Sequence, residues 1–285
     1  MRLSEFDITH RHPATVASST RLALADSPDE VRDIEIDVPA RPFSASVPGL
    51  SVGVLAPGRA QPGEPHHLRL YTVADLPEAA DAGRIRLRLC VKRCSRVDEA
   101  TGERFPGTAS NFLCDLPVGG TLTVTGPYGL AFSVPDDPGA NLVLIGAGTG
   151  IAPFRAFVKY LYAGGFTGRV LLLHGGRSGL DRVYKNDEHD DVALYYDQGT
   201  FEAISALAPL PIWSDAIDWK GVVAARAKEL SDLLVDSHTY VYVAGIESIL
   251  GDLDVAFAAV MGGPERWAAR KAELQAGKRW VELVY

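Results

Sequence analysis

The sequence predicts two domains, an antiparallel β-barrel over residues 1–138 followed by an α/β doubly wound parallel sheet over residues 139–285. Three observations lead there. The first half alternates apolar and polar residues in short runs punctuated by Pro and Gly, the mark of half-buried antiparallel strands. A linker-like stretch, Asp136-Asp-Pro-Gly-Ala140, then interrupts the pattern. Beyond it, short wholly apolar runs alternate with helical stretches, as parallel strands covered on both faces require. A length of 285 residues suits two domains of ordinary size.

Taken in order, Ile34-Glu-Ile-Asp-Val38 alternates apolar with acidic residues, one face buried and one solvated. Arg84–Val91 does the same with arginines on the polar face, and Thr121-Leu-Thr-Val-Thr125 follows. Turn signals separate these runs at Pro39, Pro42, Pro48-Gly49, Pro57-Gly58, Pro62-Gly63, Gly119-Gly120 and Gly126-Pro-Tyr-Gly129, which predicts a barrel or sandwich. In the second half Leu142-Val-Leu-Ile145 reads as a buried strand running into Gly146-Ala-Gly-Thr-Gly150, with a helix from Pro153. Val170–Leu173, Val192–Tyr196 and Tyr240–Val243 predict further strands, and Val222–Leu234, Glu247–Val260 and Glu265–Gln275 predict helices. Trp280-Val-Glu-Leu-Val284 is an apolar last strand, which ties down a chain end that would otherwise fray.

Composition narrows the function classes. The net charge of −8 argues against nucleic acid as the main partner, because phosphate neutralisation needs a basic surface. No apolar run reaches the ~18 residues of a membrane span, and Met1-Arg-Leu-Ser-Glu-Phe-Asp7 has no apolar core of a secretory signal. The expected location is the cytoplasm. The three cysteines, Cys90, Cys94 and Cys114, form no even disulfide framework and fit a reducing compartment. The histidines show no zinc spacing, and no nucleophile–His–Asp order suggests a hydrolase.

The Gly146–Gly150 turn sits between a strand and a helix, where backbone N–H groups can cradle a pyrophosphate. Alone it is equally well a structural turn, and its spacing departs from G-x-G-x-x-G. Other segments stand with it in one order: Arg69-Leu-Tyr-Thr72, Leu89-Cys-Val-Lys92, Thr108-Ala-Ser-Asn-Phe112, Gly148-Thr-Gly-Ile-Ala-Pro-Phe154, Tyr240-Val-Tyr-Val-Ala-Gly245 and the terminal Tyr285. Together they resemble the plant-type ferredoxin–NADP reductase family, from about Pro42-Phe43 and Ser51-Val-Gly-Val54 to the last residue. The resemblance implies an FAD-binding antiparallel barrel followed by an NAD(P)-binding α/β domain.

It also implies roles. Arg69 pairs with the FAD pyrophosphate, a task suited to a fork of fixed donors. Leu70 lies between it and Tyr71, which packs on one isoalloxazine face, while the Thr72 hydroxyl stands near flavin N5. The backbone of Leu89, Cys90 and Val91 lines the flavin beside Lys92, and that of Thr108, Ala109 and Ser110 holds its phosphates. Arg96 takes the place of an aromatic that covers adenine. Thr149, Gly150, Gly175, Gly176, Gly245 and Ile246 border the pyridine nucleotide, and Tyr285 stacks where nicotinamide lands. Thr72 and Tyr285 are the residues nearest the chemistry. Against that pattern, Ala244 replaces a cysteine and Leu283 a glutamate, while Glu282 faces the other way along its strand. Tyr196-Asp197 replaces a Ser-Arg pair that grips the NADP 2′-phosphate. A carboxylate there accepts from the ribose hydroxyls of NAD and repels a 2′-phosphate, whereas Arg177 could favour the phosphate, so NADP(H) and NAD(H) both stay open.

The expected activity is FAD-dependent exchange of electrons between NAD(P)H and a separate one-electron carrier. The alternatives are the reductase component of an oxygenase system, or a flavin-binding partner subunit with weak pyridine-nucleotide turnover. Lacking four-cysteine cluster spacing, the chain would leave any iron–sulfur cluster to its partner. Arg84, Arg86, Arg88, Lys92 and Arg93 form a basic stripe in an acidic chain, a docking face expected to suit an acidic ferredoxin or flavodoxin.

Overall fold

The computed structural model describes residues 3–23, 29–44, 48–58, 66–98, 100–129, 134–176, 200–207 and 217–284. Two compact units divide the chain, Met1–Leu130 and Ala131–Tyr285. The Asp136–Ala140 stretch is built into the second, where the Pro138 carbonyl accepts from the Thr167 and Gly168 amides and Ala140 is buried.

The first unit runs β1 (Arg11–Arg21), β2 (Val31–Pro39), a single turn α1 (Ala40–Phe43), β3 (Ser51–Pro57), β4 (His66–Thr72), β5 (Glu78–Ala79) and β6 (Arg84–Lys92). A short hairpin, β7 (Ser95–Val97) and β8 (Arg104–Pro106), then leads to α2 (Thr108–Asp115) and β9 (Thr121–Tyr128). Seven strands pair antiparallel in the order β4-β3-β9-β1-β2-β6-β5. The sheet curls on itself, since Val73, just past β4, bridges Leu89 on β6, and the Ala74 amide donates to the Arg88 carbonyl at 2.7 Å. Alternation does what the sequence predicts: Ile34, Ile36 and Val38 of β2 and Ile85, Leu87 and Leu89 of β6 fill the interior with Val52, Val54, Phe43 and Leu113. β1 escapes the apolar pattern because its sequence, RHPATVASSTR, is mostly polar. It is held as a central strand by Ala14 and Val16 inside and by neighbours on both edges.

The second unit carries β10 (Asn141–Ala147), a 3₁₀ turn over Gly148–Ile151, α3 (Ala152–Ala163), β11 (Val170–Gly176) and β12 (Phe201–Leu207). It continues with α4 (Trp219–Ala225), α5 (Ala227–Val235), β13 (Thr239–Gly245), α6 (Ser248–Val260), α7 (Pro264–Ala276) and β14 (Trp280–Val284). The strands are parallel, in the order β12-β11-β10-β13-β14. One sheet face buries Val143, Ile145, Leu171, Leu173, Val241 and Val243 against α4 to α7, and on the other Tyr242 meets Phe157 of α3 edge to face. The chain is therefore an antiparallel barrel followed by a doubly wound parallel sheet.

Two expectations need revision. The helix predicted over Val222–Leu234 is two helices, broken at Arg226 (φ −118°, ψ 24°), whose guanidinium reaches out to Glu202 of β12 and Glu229 of α5. Edge strand β12 was not foreseen, its alternating FEAISAL being weakly apolar. The predicted strand Val192–Tyr196 lies outside the described residues.

Candidate functional site

In the first unit, β4 runs antiparallel to β3 with Val54 opposite Arg69, Val52 opposite Tyr71 and Ser51 opposite Thr72. Arg69 is exposed. Among the described residues its guanidinium meets no carboxylate, and Nη1 reaches only the Leu68 carbonyl, at 3.5 Å. Tyr71, on the same strand face two positions before Val73, packs against the barrel core; burial, with Cys94 and Cys114 nearby, pushes its phenol above the ordinary tyrosine range. The Thr72 hydroxyl lies 3.3 Å from that of Ser51, which is 3% exposed.

The start of α2 completes this cluster. Gly107 at its N-cap brings no side chain, so the first amides of the helix, those of Thr108, Ala109 and Ser110, have no capping side chain. Around them the backbone is fixed: the Gly107 amide donates to the Cys94 carbonyl at 2.8 Å, and the Cys94 amide donates to Ser110 Oγ at 3.1 Å. Asn111 Nδ2 donates to both the Cys94 and Gly107 carbonyls. Ser110 and Asn111 thus spend their side chains on holding the loop and leave the amides for an anion. Gly58, at the end of β3, stands against Thr108, which sets this helix start beside the β3–β4 ribbon. An exposed guanidinium without a carboxylate partner and a helix start that no side chain caps are each suited to a phosphate, the group the resemblance expects here. The sequence reading missed Gly107, for which the glycine directly before Thr108 was the available signal, and it placed Ser51 within the resembling segment Ser51-Val-Gly-Val54 without giving it a role.

Leu89 and Val91 are core residues on β6, with Cys90 also buried. Leu70 is half-buried on β4. Arg96 stands on β7 opposite the partly exposed Phe105.

In the second unit, the order in which strands are added reverses between β10 and β13: β11 and β12 lie on one side of β10, β13 and β14 on the other. Such a switch point leaves a crevice at the carboxyl ends of the two strands. The Gly146–Gly150 turn fills its lip. A Cβ on Gly150 would stand 2.2 Å from the Ala244 carbonyl, so only glycine lets the turn lie against the end of β13. No side chain caps the 3₁₀ turn over Gly148–Ile151; the Ala152 amide donates back to the Thr149 carbonyl and Pro153 has no N–H, so it is this turn and not the start of α3 that faces the strand ends. Gly245 ends β13, and Ile246 after it is 55% exposed. Gly175 and Gly176 end β11, but a Cβ at 175 would come within 2.5 Å of the Trp219 ring, so packing by itself demands glycine there. Arg177, Tyr196, Asp197 and Tyr285 lie outside the described residues.

Glu282, the acid nearest the chain end, accepts from Trp280 Nε1 at 2.6 Å and pairs with Lys271 at 3.4 Å. It is a strut between β14 and α7. Its neighbour Leu283 stands opposite Ala244, which is buried.

The basic stripe is paired. Arg86 holds Asp37 at 2.8 Å, Arg88 holds Glu35 at 2.8 Å and Asp33 at 3.5 Å, Lys92 holds Asp29, and Arg93 holds Glu30 and Asp115. Arg84 donates to the Asp37 carbonyl. The β2 register sets acids opposite arginines (Glu35 to Arg88, Asp37 to Arg86), so the stripe is one half of a neutral ladder.

Barrel, switch-point crevice and a glycine turn at its lip fit the class of two-domain nucleotide-binding proteins. A family model described as an oxidoreductase NAD-binding domain matches residues 144–253. The chain is 31% identical over 279 residues to the ferredoxin–NADP reductase leaf isozyme 1 of rice (Oryza sativa subsp. japonica), covering 94% of this chain and 75% of that one. It is 30% identical over 244 residues to the ferredoxin–NADP reductase of Synechocystis, covering 83% and 59%. Ferredoxin–NADP+ reductase from Plasmodium falciparum, solved with 2′P-AMP, has the same fold, with a TM-score of 0.70 at 16% identity over 99% of this chain and 98% of that one. The chain belongs to the ferredoxin–NADP reductase family.

Proposed function

We propose that the chain is an FAD-dependent oxidoreductase that exchanges electrons between NAD(P)H and a separate one-electron carrier such as ferredoxin or flavodoxin. The observation that carries this is the presence, in one chain, of an uncapped α2 start and an exposed, unmatched Arg69 on the barrel with a glycine turn at the switch point of a parallel sheet. Family membership supports the same reading. Bound FAD would supply the conversion between a two-electron hydride and single electrons. The chain's part is placement. Arg69 and the Thr108–Ser110 amides would hold the diphosphate, Tyr71 one ring face, and Thr72 would offer its hydroxyl near N5. The turn at Thr149 and Gly150 would hold the coenzyme phosphates, with Gly245 and Ile246 beside them, and Tyr285 would guard the nicotinamide position.

The acidic carrier would dock on the stripe Arg84, Arg86, Arg88, Lys92 and Arg93. Because neighbouring acids already compensate these cations, docking there exchanges ion pairs, and its dependence on salt is shallow. A second reading, a flavin-binding partner subunit with weak turnover, draws support from Ala244 and from Glu282, whose carboxylate is tied to Trp280 and Lys271. The deciding experiment is stopped-flow mixing of the purified protein with NADPH and with NADH. Bleaching of a bound flavin within seconds supports the reductase; a flavin that neither coenzyme reduces supports the partner subunit; a colourless protein that cannot be reconstituted with FAD removes both.

A further inference from the structure

Ser51 is a buried hydroxyl at the first position of β3, with 3% of its surface exposed. Its oxygen lies 3.3 Å from Thr72 Oγ1, across a register pair that sets the two residues directly opposite. Either oxygen can donate in this contact. Thr72 itself is only half-buried at the end of β4, so one residue of the pair is sealed inside the barrel and the other is partly exposed.

We propose that Ser51 is a positioning residue that sets the direction of the Thr72 hydroxyl, and that the two form a hydrogen-bond relay whose polarity follows the redox state of a flavin at Thr72. The inference rests on the flavin reading above. A hydroxyl carries one proton and accepts through two lone pairs. Facing a ring nitrogen that bears a lone pair, as N5 of oxidised flavin does, Thr72 donates to it and accepts from Ser51. Facing the same nitrogen as N–H, in reduced flavin, Thr72 accepts and turns its proton to Ser51. No proton leaves the pair; two O–H bonds rotate. A lone threonine would meet both states too, but only with Ser51 opposite does Thr72 gain a buried partner that donates to it in one state and accepts from it in the other, the Ser51 proton turning away from the pair in the second.

The test is a double-mutant cycle on the FAD-loaded protein with Ser51→Ala, Thr72→Val and the pair combined. Two readouts are taken: the rate of flavin reduction by NADPH, and the nitrogen-15 chemical shift of N5 in labelled FAD, oxidised and reduced. FAD affinity, measured by fluorescence quenching on the apoprotein, reports whether each variant still folds and binds. Ser51→Ala is expected to slow reduction by roughly threefold to tenfold, the worth of one neutral hydrogen bond. It should also move the N5 shift in both redox states, with FAD affinity held within about twofold. In the Thr72→Val background the same substitution should do nothing. Equal effects of Ser51→Ala with and without the Thr72 hydroxyl would overturn the relay, since Ser51 would then act through packing. So would a Ser51→Ala protein with unchanged rate and shift. If Thr72→Val alone changes neither readout, the flavin role of Thr72 fails and the relay with it. Thr72→Ser, which keeps the hydroxyl, should stay near the parent in all three measurements.

Discussion

Thr72, Arg69 and Gly150 show how differently single residues can matter. Arg69 lacks a carboxylate partner among the described residues, whereas Arg86 and Arg88 of β6 have theirs, and that contrast makes it the guanidinium to test for a diphosphate. Arg69→Ala should lower FAD affinity roughly tenfold to a hundredfold, the loss of one charge-assisted contact, as measured by fluorescence titration of the apoprotein. An affinity unchanged by the substitution would move the diphosphate elsewhere. At Gly150 the reason is steric. A methyl group placed 2.2 Å from the Ala244 carbonyl must push the turn off β13. Gly150→Ala should raise the KM for the coenzyme at least tenfold with FAD affinity unchanged, because the displaced turn holds none of the residues proposed to bind FAD.

Among the elements, β2 with β6 and α5 with β12 are tied by charge. The β2–β6 ladder tests docking in an unusual direction. Replacing Asp33, Glu35 and Asp37 by Asn, Gln and Asn removes the compensation and uncovers Arg86 and Arg88. If a carrier docks there, its reduction should speed up several-fold at low salt and the gain should vanish near a Debye length of about 8 Å, at physiological salt. No change with the carrier, and none with a neutral dye, would take docking off this face. The second tie joins Arg169 and Arg226 to Glu202 and Glu229. Hydrogen bonding from Arg226 holds the Glu202 carboxyl below the usual carboxylate range. A folded-state value lower than the unfolded one means that this stabilisation is complete above about pH 4.5 and fades as pH falls through the lower, folded value. Thermal melts should therefore show Tm falling with acid less steeply in Glu202→Gln than in the parent below about pH 4.5. Both glutamate and arginine here are partly exposed, so the effect is small and salt-sensitive.

The whole molecule decides coenzyme choice and the fate of the terminal tyrosine. Asp197, proposed at the adenine ribose, would repel a 2′-phosphate, worth about 1 kcal/mol once solvent screening is allowed for. Asp197→Ser should shift the ratio of kcat/KM for NADH over NADPH several-fold toward NADPH. A strong parent preference for NADPH that the substitution leaves alone would mean that the ribose is bound elsewhere. Tyr285→Ser should tighten nicotinamide binding and perturb the flavin spectrum, since coenzyme would no longer have to displace a ring. If both stay as they were, the terminal tyrosine has no part in the landing site.

What the sequence alone determined about this protein is local in origin. Alternation in Ile34–Val38 and Arg84–Val91 sets which side chains face inward, and the apolar runs into Gly146 and Gly245 mark buried parallel strands that each end at glycine. From those came the two architectures and their order; the segments assigned to the site came from the family resemblance. What only the tertiary structure decided depends on register and on partners far along the chain. Ser51 meets Thr72 because β3 and β4 pair in one particular register. The basic stripe loses its net charge because β2 sets acids opposite it. The helix predicted over Val222–Leu234 breaks where Arg226 finds Glu202 on another strand, and Glu282 becomes a strut because α7 brings Lys271 to it. Period along a strand or helix is written into neighbouring residues; register and long-range pairing are settled by the free energy of the whole packed chain, which no short window of sequence contains.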